Sequence, residues 1–93
     1  MKITQKNNEK NGAFFAMDNE TVAGEMTYVW GGDKQIIIDH TEVLPQYEGQ
    51  GIGNEMVKKS VDFAREKHIK ILPLCSFAQS VFEKTPAYKD VLA

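Results

Sequence analysis

Three glycines at alternate positions, Gly49, Gly51 and Gly53, close a strongly β-prone run and open a helical one. Gln35 to Leu44, with Ile36-Ile37-Ile38 inside it, reads as strand. The stretch from about Gly51 to His68 reads as helix, with Ile52, Met56, Val57, Ser60, Val61, Phe63 and Ala64 near one side. Lys58, Lys59, Arg65 and Glu66 lie mostly on the other. The chain must bend sharply there, through residues that leave nothing bulky beside the backbone. Such a junction gathers unpaired N–H groups and the positive end of a helix dipole at one spot. Its natural ligand is a phosphate or pyrophosphate, held by the amides of Gln50 to Asn54. The same glycines also suit a plain strand-to-helix turn, and Glu55 favours the first helical turn with no ligand at all.

The rest of the chain fits around this junction. Ile3 to Lys6 reads as a short strand. Asn11-Gly12 carries a turn signal, and Ala13 to Met17 is a compact apolar strand. Asp18-Asn19-Glu20 turns into Thr21 to Trp30, where Val22, Met26 and Tyr28 are expected on one face. Gly31-Gly32-Asp33 ends that strand. The triple isoleucine predicts that the next strand is covered on both faces. Ile69 to Leu74 is a further short strand. Because it follows a helix, it should run parallel to the strand that feeds the helix. Ser76-Phe77-Ala78-Gln79 has capping-box spacing and should start a second helix, ending near Lys84 before Thr85-Pro86. The order is β-β-β-β-α-β-α. It is an α+β, sandwich-like fold with an antiparallel meander followed by α-β-α. Trp30, Phe14, Phe15 and Phe82 are assigned to the core. The glycine loop and Cys75 both follow carboxyl ends of strands, where α/β sheets bind ligands.

With 93 residues the sequence reads as one domain spanning 1–93. A formal charge of -2 argues against nucleic acid as a partner. No apolar run approaches the ~20 residues a bilayer requires, so no membrane partner is expected. The single cysteine excludes an internal disulfide, and with no signal-peptide core the reading is cytoplasmic. Two histidines and one cysteine lack metal-ligand spacing, so no metal is expected. The sequence leaves the oligomeric state open.

The run Glu48-Gly49-Gln50-Gly51-Ile52-Gly53 between strand and helix resembles the acyl-CoA signature of the GNAT superfamily of N-acetyltransferases. His40-Thr41-Glu42-Val43 before it, Pro73-Leu74-Cys75 after the helix and Tyr88 near the end are similar to that superfamily's small single-domain branch. The likeness runs from about Gly12 to Val91. It implies a minimal fold of that kind, with acetyl-CoA or coenzyme A as co-substrate. The implied cofactor contacts are Val43, Leu44, Gly49, Gln50, Gly51, Ile52, Gly53 and Asn54, with the amides near Val43 and Leu44 polarising the thioester carbonyl. Two features depart from the pattern. Glu48 stands where the superfamily has a basic residue or glutamine. The helices that wall the acceptor site in larger members, between their first two strands, have no counterpart here.

Three side chains are candidates for catalysis. Cys75 precedes a helix start, a location that favours the reactive thiolate. It could accept the acetyl group, or be a small buried hydrophobe. His40 could act as general base, since imidazole titrates near neutral pH, or simply hydrogen-bond at a strand end. Glu42 lies two residues on and shares its strand face, so it could orient His40 or be the base itself. Tyr88 could protonate a leaving thiolate or merely pack. The leading expectation is an acetyl-CoA-binding N-acetyltransferase acting on an unknown acceptor, a small amine or a protein, with Cys75 as a possible intermediate carrier. The alternative is a non-catalytic acyl-CoA-binding or interaction module.

Overall fold

Five strands lie side by side in sequence order, because each of the first three links is a hairpin and the fourth is a crossover helix. The computed structural model describes residues 1–93. The strands are β1 (Lys2–Asn7), β2 (Asn11–Asp18), β3 (Thr21–Trp30), β4 (Gln35–Val43) and β5 (Lys70–Pro73). Pairing is antiparallel from β1 through β4, and β4 pairs β5 in parallel. Helix α1 (Ile52–Lys67) makes the crossover. Helix α2 (Ser76–Lys84) and a 3-10 segment, Pro86–Val91, follow β5.

One face of the sheet holds the core. Phe14, Ala16, Met26, Tyr28, Ile36, Ile38 and Ile71 pack there against Met56, Val57, Val61 and Ala64 of α1 and Ala78, Val81 and Phe82 of α2. Both helices therefore cover the same side. Alternation sends Phe15, Met17, Glu25, Thr27 and Ile37 to the other side, which no helix covers. Buried Ser60 satisfies its hydroxyl by donating to the Val57 carbonyl at 2.6 Å.

Several expectations need correction. Ile36 and Ile38 are fully buried, but Ile37 is only half-buried, so β4 is covered on one face. Phe15 is half-buried on the bare side, and Trp30 is partly buried at the rim of the core. Val22 is exposed because the register slips between Ala16 and Met17, which turns Ala23 inward in its place. Asn11 and Gly12 belong to β2. The turn before them is made by Asn8, whose side-chain oxygen accepts from the N–H groups of Lys10 and Asn11. Gly12 is needed for close approach, since a Cβ there would collide with the Tyr28 ring and the Lys6 carbonyl. Helix α2 is capped by Cys75 rather than Ser76.

Candidate functional site

The strand-to-helix junction is built by two glycines in the left-handed region, Gly49 at φ 80° and Gly51 at φ 76°. Gly51 is the N-cap of α1 and offers no side-chain cap; its carbonyl accepts from Glu55 N–H at 3.1 Å. The N–H groups from Gly49 through Asn54 donate to no acceptor in the protein. A Cβ on Gly49 or Gly51 would meet nothing within 4 Å, so the approach to these amides is open. Gly53 serves a different purpose. A Cβ there would strike the Phe77 ring, so this glycine lets α2 close on the first turn of α1.

The loop is held in place before the glycines begin. Tyr47 donates its hydroxyl to Asp18 at 2.6 Å, and that carboxylate holds the Tyr47 phenol above its ordinary pKa. Tyr47 N–H and Glu48 N–H donate to the Leu44 and Pro45 carbonyls at 2.9 and 3.2 Å. A cleft of about 380 Å³ results, lined by Thr41 and Val43 of β4, Tyr47 to Gly49, Gly51 to Asn54, and Phe77 of α2. Glu48 is exposed on its rim.

Strand β5 pairs with β4 only from Gln35 to Ile38. Beyond that, Leu74 and Cys75 both donate their N–H to the Ile38 carbonyl, and the chain turns into α2. This leaves a gap beside the last residues of β4. Leu44 N–H donates to Ala23 at 2.9 Å, which makes Gly24 and Val43 a non-hydrogen-bonded pair. Val43 N–H is thus turned toward the gap, while Leu44 N–H is already engaged. Of the two amides implied as carbonyl donors, that of Leu44 is already paired, and only that of Val43 faces the gap.

The three candidate catalytic side chains do not converge on one face. Thr41 pairs with Met26 and shares the helix-covered side. Its Oγ1 lies 3.3 Å from Cys75 Sγ, which also accepts the Ala78 N–H at 3.4 Å. Cys75 is therefore at the N-terminus of α2, half-buried, and one residue's width from the cleft through Thr41. His40 and Glu42 pair with Thr27 and Glu25 on the bare side, where both are exposed. Asp39 sits at an adjacent register shift and accepts from Thr27 Oγ1 at 2.6 Å. Tyr88 packs edge-on against Phe82 of α2, with ring centroids 5.8 Å apart. Nothing in the sequence assigns Thr41 or Phe77 to the cleft. Alternation from His40 would have placed Thr41 opposite it, but nothing local marks the contact between Phe77 and Gly53.

A family model for the GCN5-related N-acetyltransferases matches residues 13–91. The chain belongs to that family. It is similar to a GCN5-like N-acetyltransferase from Staphylococcus aureus, described as putative, whose solution structure superimposes with TM-score 0.77 at 35% identity. That match covers 99% of this chain and 87% of the other. An acetyltransferase of the GNAT family from Elizabethkingia anophelis, solved with acetyl-CoA bound, shares the fold at TM-score 0.66 and 18% identity, over 83% of this chain and 53% of its own. Protein NATD1 of Xenopus tropicalis is 30% identical over 61 residues, which is 66% of this chain and 56% of that protein. The chain thus spans about half the length of the curated relatives it matches. The fold of this family member is the expected one, a meander followed by α-β-α. No helix is long and apolar enough to cross a membrane.

Proposed function

We propose that this member of the family binds acetyl-CoA at the glycine loop and transfers its acetyl group to an amine. The observation that carries the reading is the row of unpaired amides from Gly49 to Asn54, open to the cleft and facing along the N-terminus of α1. Gln50, Ile52 and Asn54 contribute through their backbone, and the pyrophosphate of the co-substrate is the anion they fit. The acetyl-CoA present in the Elizabethkingia relative supports the choice of ligand. Val43 N–H, turned to the gap beside β4, would stabilise the oxyanion formed on the thioester carbonyl.

Two sets of side chains would share the chemistry. On the cleft side, Cys75 sulfur attacks the carbonyl, forms a thioester bond to the acetyl group, and releases coenzyme A as its thiol after protonation. On the bare side, His40 or Glu42 takes the proton of an incoming amine as its nitrogen bonds to the acetyl carbon and the sulfur leaves. Direct attack on acetyl-CoA by the amine would use the same bases and omit the cysteine. The bare face, with no helix to wall an acceptor, favours a second reading as a binding module without turnover.

Mass spectrometry after incubation with acetyl-CoA should show one added acetyl group. Hydroxylamine should remove it, and Cys75→Ala should lack it. Calorimetry on Gly51→Val should show at least about tenfold weaker coenzyme A binding, or ~1.4 kcal/mol. Equal affinity in the folded variant would refute the loop assignment. Binding without acetylated protein would remove Cys75 from the path. Steady-state release of coenzyme A with an amine acceptor would then decide between direct transfer and a binding module.

A further inference from the structure

The bare face of the sheet is divided by charge. On β1, Lys2 and Lys6 pair in register with Met17 and Ala13 and so lie on this face; both are exposed. Across the sheet, β3 and β4 present Glu25, Asp39 and Glu42. Phe15 and Met17 of β2 lie between them, and Val29 and Ile37 carry the apolar surface on toward the other end of β3 and β4, with Val29 still 37% exposed. The rows are continuous. Thr4, Phe15, Glu25 and Glu42 form one, and Lys6, Ala13, Thr27 and His40 form the next. A groove of about 440 Å³ follows part of this surface, from Lys6 through Phe15 to Asp39.

We infer that this face is the interface of a homodimer, each copy supplying the wall the other lacks. A uniformly basic partner would suit Glu25, Asp39 and Glu42 but would be repelled by Lys2 and Lys6. An acidic partner meets the reverse conflict. A second copy resolves both. A two-fold axis running along the strands, between β2 and β3, lays β1 of one copy on β4 of its partner and β2 on β3. Lys6 then comes opposite His40 and the adjoining Asp39, and Thr4 comes opposite Glu42 with Lys2 one row beyond, twice over. The apolar strip of β2 meets its counterpart at the centre.

The size of the face sets the strength. The four overlapping strands, about 4.8 Å apart and each with about six residues at ~3.3 Å, give roughly 380 Å² per copy. Twice that is about 760 Å², below the size typical of stable assemblies. The dimer is therefore weak and concentration-dependent. The inference goes beyond acetyl transfer and stands without it.

Charge exchange tests it by sedimentation at low ionic strength. The parent should show a reversible monomer–dimer equilibrium that salt weakens. Lys2→Glu/Lys6→Glu makes the face acidic, and Glu25→Lys/Glu42→Lys makes it predominantly basic, with Asp39 the one carboxylate left. All four positions are at the surface, and circular dichroism checks that each variant is folded. Each variant alone should dimerise at least about tenfold more weakly, because like charges then face each other. An equimolar mixture of the two should recover the dimer. A parent that stays monomeric at every concentration overturns the inference, as does a dimer that neither reversal weakens or a mixture that remains monomeric. A Lys-rich peptide that binds this face of a monomeric parent would overturn it in favour of a basic segment.

Discussion

The two faces of this sheet follow the same alternation and reach opposite ends. The helix-covered face buries Phe14, Met26, Tyr28, Ile36 and Ile38 to 2% exposure or less. The bare face keeps Phe15, Glu25, Thr27 and Ile37 partly open and carries most of its charge at the rims. The contrast shows that neighbouring residues on β4 have different duties. Thr41 and Val43 belong to the cleft, whereas His40 and Glu42 belong to the surface an acceptor or a partner would meet.

The largest test of this contrast is a pair of adjacent phenylalanines. Phe14→Ala empties a site in the core and should cost about 4 kcal/mol in denaturant unfolding. Phe15→Ala removes a half-buried ring from the bare face and should cost only about 1 kcal/mol at concentrations where the chain is monomeric. Equal costs would mean that the bare face is packed as tightly as the other. A smaller effect separates the glycines of the loop. Gly53→Ala forces a Cβ into the Phe77 ring and should cost about 2 kcal/mol. Adding Phe77→Ala should relieve part of that cost, so the double variant is more stable than the sum of the singles predicts. Strict additivity would show that the glycine's role is not contact with Phe77.

The smallest effect is in pH. Arg65 donates two hydrogen bonds to Asp90, both 2.9 Å, and ties α1 to the C-terminal segment. This partner holds the Asp90 carboxyl below the usual carboxylate range. The folded state then binds its proton later than the unfolded chain as pH falls. The contribution is complete above about pH 3.8 and is lost as acid titrates the folded carboxylate. Asp90→Asn should therefore make acid unfolding slightly less steep below about pH 4. An unchanged acid limb would show that the pair is not formed in solution.

Most of the order of elements was legible because period changes with secondary structure. Alternation marks β3, and the 3.6-residue spacing from Ile52 to Ala64 marks α1. The glycine junction was legible too, since its conformations exclude most other residues. What escaped was long-range. The isoleucine run suggests two covered faces because sequence registers apolarity, not which helices arrive to cover it. Val22 was misplaced because a single-residue slip reverses facing without leaving a local mark. Asn11-Gly12 mimics a turn, but its glycine answers to Tyr28, sixteen residues away in a neighbouring strand. The facing of Cys75 depends on how Leu74 and Cys75 are both anchored to the Ile38 carbonyl, and no spacing within 73–75 encodes that.

The early end of β5 also bears on how the molecule avoids its own kind in the wrong geometry. An interior strand that loses its neighbour part-way becomes an edge. From about Asp39 to Val43, β4 therefore offers backbone groups that a foreign strand could adopt, which is how sheets begin to aggregate. The register shift beside Asp39 twists this stretch out of line, and the charged side chain of Glu42 discourages an approaching strand. The irregularity is thus a guard. Straightening it would leave a regular ladder for strand addition, and the first symptom would be fibrils or precipitate rather than a lower melting temperature.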